Sequence, residues 1–216
     1  MDELNPIADS IRDILETKNT ARDDAIARSR TLIRHCSACI RAIHRREWDI
    51  ADEALQTIRD SARDMVSVVA DHPDLYHTGY TQDALKEVVE AFATYAIIRK
   101  TPLPTLESLE VEAATYLKGL GEAATELRRF ILDILRRDEP DVDEAERLLE
   151  WMDAVYDQLV TFDFPDALTY GLRRQTDVVR GVLERTRGDL TTTLRQQRLQ
   201  AALQKLESHL PDVDAG

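Results

Sequence analysis

Two short stretches of the chain set pairs of glutamates where carboxylates could do chemistry. In Ala84-Leu85-Lys86-Glu87-Val88-Val89-Glu90-Ala91-Phe92-Ala93, Glu87 and Glu90 are the acidic groups of an otherwise largely apolar window. Residues three apart share a helix face, and a helix apolar nearly all round is usually buried. A buried carboxylate must be paired, hydrogen-bonded or metal-bound. The second stretch, Tyr116-Leu117-Lys118-Gly119-Leu120-Gly121-Glu122-Ala123-Ala124-Thr125-Glu126, places Glu122 and Glu126 four apart among small residues. Packed face to face, two such helices bring four carboxylates together. Oxygen-only ligands suit hard cations such as Mg2+ or Mn2+, and one or two such ions activate water and stabilise charge in phosphodiester cleavage. The competing arrangement is structural, with the glutamates paired across helices to arginines such as Arg99, Arg128 and Arg129. A di-iron bundle would need Glu-x-x-His, and no glutamate here has a histidine three residues on.

Other constellations are weaker. Cys36-Ser37-Ala38-Cys39, with His35 and His44 nearby, has the spacing of a zinc or redox pair. No further cysteine exists to complete a structural zinc site, and no strand pattern supports a thioredoxin-like one, so packing as small hydrophobes is the expected role. Near the C-terminus, Arg173, Asp177, Arg180 and Glu184 follow one helical stripe, which reads as an ion-pair ladder; the alternative is a phosphate-contacting surface.

The elements that must position these groups are helices. Apolar residues recur at three- and four-residue spacing with almost no alternation, and glycines and prolines gather at a few breaks. The spacing predicts helices from about Leu4 to His44, Trp48 to Ala70, Thr81 to Arg99 with Thr81 as N-cap, Leu106 to Arg137 with a bend at Gly119-Gly121, Asp141 to before Phe162, and Asp166 to about Leu210 with an interruption at Gly188. The first would span roughly 60 Å, so it either breaks near Lys18-Asn19-Thr20 or projects toward another subunit. One all-α domain of six or seven helices over residues 1–210, with a tail at 211–216, is the expected organisation.

Composition narrows the class. The 216 residues carry a net charge of −13, with 43% hydrophobic and 32% charged residues, enough to bury a core. No apolar run is long enough for a bilayer and the start has no basic signal region, which predicts a cytoplasmic protein with no membrane partner. Only five of the 28 basic residues are lysine, and the acidic balance fits a halophilic, high-salt cytoplasm. That balance argues against nonspecific nucleic-acid binding by the outer surface, while leaving a basic interior open.

Four elements in order, Ala42-Ile43-His44-Arg45, Leu85 to Ala91, Tyr116-Leu117-Lys118-Gly119-Leu120 through Thr125-Glu126-Leu127-Arg128-Arg129, and Phe164-Pro165 through Leu172-Arg173-Arg174 to Arg180, resemble the translin and TRAX family, in particular its archaeal members. The resemblance implies an all-α bundle that closes into a hollow homo-oligomer of the hexamer or octamer class, in some cases with a paralogous chain, and holds single-stranded RNA or DNA inside. It implies a Mg2+-dependent endoribonuclease site on Glu87, Glu90, Glu122 and Glu126. The family's histidine-rich RNA-binding stretch is represented at most by His72 and His77; Arg128 and Arg129 are candidate phosphate contacts on their own chemistry, with pairing to acidic groups as the alternative. Glu122 stands where the family has aspartate and Thr125 where it has glycine. The added methylene at residue 122 shifts a ligand by about an ångström, and misplacement on that scale can cost about 10²-fold in rate. The expectation is thus an RNA-binding oligomer with TRAX-type cleavage; the alternatives are a non-catalytic nucleic-acid-binding shell and a structural helical scaffold.

Overall fold

The computed structural model describes residues 4–208, so the expected tail at 211–216 lies outside the described residues. Every regular element among the described residues is helical. Six are long: α1 (Leu4–Arg45), α2 (Trp48–Val68), α4 (Gly79–Arg99), α6 (Ala113–Leu135), α7 (Val142–Leu159) and α9 (Leu172–Glu207). Three are single turns: α3 (Pro73–Tyr76), α5 (Leu106–Leu109) and α8 (Asp166–Thr169). They fall where prolines and polar residues had predicted loops or helix starts.

The α4–α6 pair forms the middle of the bundle. On one side α1 packs on α2 and α4; on the other, α6 packs on α7 and α9. A continuous core of Leu32, Ile43, Ile58, Met65, Leu85, Ile97, Leu127, Ile131, Leu148 and Met152 runs through these layers. At about 25 cal/mol per Å2 of apolar surface, burial of these side chains drives the association of the layers. Gly119 fixes how closely the central pair meets. A Cβ built there would lie 2.5 Å from the Val89 Cβ and 2.6 Å from the Lys86 carbonyl oxygen, so only a bare α-carbon fits. Sequence reasoning assigned Gly119 and Gly121 to a bend; α6 instead runs unbroken through them, and Gly119 serves helix contact.

Several boundaries differ from expectation for local reasons. The predicted helix from Leu106 to Arg137 is divided by Glu110, whose φ of 56° ends α5 in the left-handed region. Thr81 is not the N-cap of α4, which starts at Gly79; its fully buried hydroxyl donates to the Leu75 carbonyl at 3.0 Å. Tyr170 and Gly171 both have positive φ and separate α8 from α9, so the last long helix starts at Leu172 rather than Asp166. Gly188 does not interrupt α9, because a helix interior tolerates glycine at a cost of about 1 kcal/mol. Asp141 caps α7 as expected, accepting from the Glu144 amide at 3.0 Å. There is no break at Lys18-Asn19-Thr20 in α1, which leaves Leu4, Ile7, Ile11, Ile14 and Leu15 exposed along its first turns. Among the described residues no helix is long and apolar enough to cross a membrane.

Candidate metal centre

The close α4–α6 contact brings together three of the four glutamates. Glu87 and Glu90 from α4 and Glu122 from α6 each offer an oxygen within 4.8 Å of the others, and all three are half-buried. Of the described residues, only these form a group with metal-ligand spacing. Their counter-charge is Lys86, whose ammonium lies 2.6 Å from a Glu122 oxygen and 3.5 Å from Glu87. Burial opposes the Lys86 charge, but the hydrogen bond to Glu122 and attraction from Glu122, Glu87 and Asp83 outweigh it and hold the ammonium above its ordinary pKa.

One cation does not balance the cluster. Burial, reinforced by repulsion from Glu87, Glu122 and Glu126, pushes the Glu90 carboxyl up to about 8 despite the attraction of Lys86. Glu87 is also raised, first by burial, with Lys86 acting against that rise and Glu122 adding to it. A half-buried group of carboxylates that repel one another, made of oxygen donors alone, fits a small divalent cation of the Mg2+ or Mn2+ type.

Glu126, the fourth expected ligand, is not within the three-carboxylate group. It accepts from His44 Nε2 of α1, although its charge still acts on Glu90. The glutamates do not pair with the arginines that sequence reasoning considered. Arg99 lies 4.8 Å over the Trp48 ring, and Arg128 meets Asp189 at 2.7 Å and Thr186 at 3.1 Å. Arg129 is exposed on α6 beside a cleft lined by Asp133, Asp189 and Thr193. His77, exposed after α3, sits 3.7 Å from Glu112, and neither it nor these arginines joins the carboxylates. The α9 ladder is realised only in part: Arg180 reaches Asp177 at 3.5 Å, whereas Arg173 turns to Asp163 at 3.0 Å.

Cys36 and Cys39 are buried free thiols in the core, as expected from their place on α1. Burial raises both, Cys39 to about 12, and Cys36 is raised further by the neighbouring charges of Glu87 and Glu90. Burial thus favours the protonated thiol at both positions, the form that is not nucleophilic.

Sequence reasoning missed Lys86 and His44 as parts of the centre. Lys86 had a signal, being one of few lysines and next to Glu87, but its bond to Glu122 spans 36 residues. Lys86→Met should lower the melting temperature of the metal-free protein by roughly 3–6 °C, since about 1–2 kcal/mol of partly screened attraction is lost. Mg2+ should then raise that variant's melting temperature more than the parent's; an equal rise in both would show that Lys86 and the cation do not share the site.

The chain is similar over nearly its whole length to proteins already described. It is 30% identical over 209 residues to an uncharacterized protein, MJ0175, of Methanocaldococcus jannaschii, covering 96% of this chain and 90% of that one. The crystal structure of AfC3PO superposes with a TM-score of 0.79 at 34% identity, covering 89% of this chain and 98% of that chain. AfC3PO in complex with duplex RNA matches with a TM-score of 0.71 and the same identity and coverage. Apo-NeC3PO, at 21% identity and a TM-score of 0.77 over 87% of this chain and 97% of its own, shares the fold. No protein-family model matches the chain.

Proposed function

The chain belongs to the translin/TRAX family, and from that premise we propose that it is an RNA-binding, oligomer-forming protein that cleaves RNA with a divalent cation held by Glu87, Glu90 and Glu122. The observation that carries this reading is the three-carboxylate group, built by two helices whose separation Gly119 sets. When bound, Mg2+ or Mn2+ would supply an activated water and stabilise charge on the scissile phosphate. The protein's own part is positional. α4 and α6 fix the spacing of the carboxylates, and Lys86 balances part of the negative charge. AfC3PO with its duplex RNA supports RNA as the ligand class. Arg129 and His77, both exposed, are the phosphate contacts in this reading; Arg128 is held by Asp189.

A second reading rests on Lys86. Its ammonium, 2.6 Å from Glu122, already compensates the cluster in part, as it would in a non-catalytic RNA-binding shell with a structural centre. Incubation of the protein with labelled single-stranded and duplex RNA in Mg2+, in Mn2+ and in EDTA separates the two. Cleavage that requires metal supports the nuclease; RNA binding without cleavage in either metal makes the protein a shell.

A further inference from the structure

His44 is nearly buried, with its side chain 5% exposed, at the inner end of α1. Its ring stacks on Phe130 of α6 at a centroid distance of 4.0 Å and an angle of 14°, which fixes the ring plane. Nε2 meets Glu126 Oε1, while Nδ1 is buried with no hydrogen-bond partner. The contact with Glu126 is therefore the ring's one hydrogen bond. That contact goes to a carboxylate whose charge acts on Glu90, and since an ionised carboxylate only accepts, Nε2 is the donor in it.

We propose that His44 is a positioning residue for the carboxylate centre. Its Nε2–H holds Glu126 Oε1, and the Phe130 stack keeps the imidazole from turning, so that Oε2 is the Glu126 oxygen left to complete the ligand set for a divalent cation. This rests on the metal-dependent reading above and deepens it. Partners that orient a ligand in this way typically contribute 10–100-fold to metal affinity.

The test measures Mn2+ affinity by the electron paramagnetic resonance signal of free Mn2+, with no RNA present. His44→Phe keeps a ring on Phe130 and removes the donor; it should weaken Mn2+ binding by about 10–100-fold. His44→Gln restores an N–H near the Nε2 position and should recover most of that loss. In a Glu126→Ala background, His44→Phe should weaken binding no further. Mn2+ affinity unchanged in His44→Phe, no recovery with Gln, or an equal loss without Glu126 would each overturn the assignment. If His44→Phe does not fold, 15N spectra of the parent decide: Mg2+ should shift the protonated Nε2 resonance of His44, and an unmoved resonance would count against the proposal. Absence of Mn2+ binding by the parent itself would remove the metal-dependent reading and this proposal together, whereas parent binding with an indifferent His44→Phe removes the proposal alone.

Discussion

Glu90→Gln should lower metal-dependent RNA cleavage by at least about 10²-fold while leaving RNA binding within about threefold of the parent. Glu90 is the member of the cluster whose charged form is most opposed, by burial and by three neighbouring glutamates. A bound cation is what would make ionisation at that position favourable, so removing the charge removes a ligand and leaves the helices in place. The same substitution has a second, independent consequence for stability. The folded-state pKa is raised from an ordinary 4.5 to about 8, so between those values the native protein holds a proton that the unfolded chain releases. Metal-free protein should therefore lose stability as the pH rises from about 4.5 to about 8, and change little from this group beyond that. Thermal melts in EDTA across that range should show a downward slope in the parent and a flatter one in Glu90→Gln. Retained cleavage in the variant would remove Glu90 from the site; parallel melting slopes would show that its proton is not the one being lost.

Gly119→Leu should separate the two halves of the centre. The added Cβ alone meets Val89 and the Lys86 carbonyl below any contact distance real structures show, and backbone cannot swing aside as a side chain can. Helices α4 and α6 must move apart, at a cost of about 3 kcal/mol or more for overpacking, which is roughly 6–12 °C in melting temperature for a chain of this size. Because Glu87 and Glu90 ride on one helix and Glu122 on the other, the same displacement should remove Mn2+ binding even at temperatures where the variant is folded. Gly188→Leu, at an open position inside α9, serves as the control: it should leave Mn2+ binding unchanged and stability unchanged or raised by up to about 1 kcal/mol. A Gly119→Leu variant that melts and binds Mn2+ like the parent would contradict the account of how the centre is assembled.

Much of this centre could be read from local pattern, and the reasons differ by residue. Glu87 and Glu90 stand out because carboxylates in an apolar helical window need a partner, and helical spacing alone puts them on one face. Glu122 and Glu126 stand out the same way, but one helical face did not make them equivalent: His44, 82 residues earlier, draws Glu126 toward α1. Pairings of this kind depend on which helices become neighbours, which periodicity does not encode. The arginines show the same limit. Arg99 lies over Trp48 and Arg128 meets α9, so the charges available for the glutamates were fixed by packing rather than by composition. The long helices were legible from three- and four-residue spacing, whereas Glu110, a left-handed residue with a side chain not favoured there, gave no glycine signal for the break it makes, and Gly171 beside left-handed Tyr170 marked the other break. Gly119 was visible as a glycine inside a helix, and only the packed structure distinguishes a close contact from a bend.

Anomalous diffraction from crystals soaked in Mn2+ would show whether Glu87, Glu90 and Glu122 hold one divalent cation. The expected result is a Mn2+ peak within ligand distance, about 2.2 Å, of oxygens from all three glutamates, with the Lys86 ammonium displaced from Glu122. A structure that takes up Mn2+ elsewhere, or none at all while Lys86 stays bonded to Glu122, would contradict it.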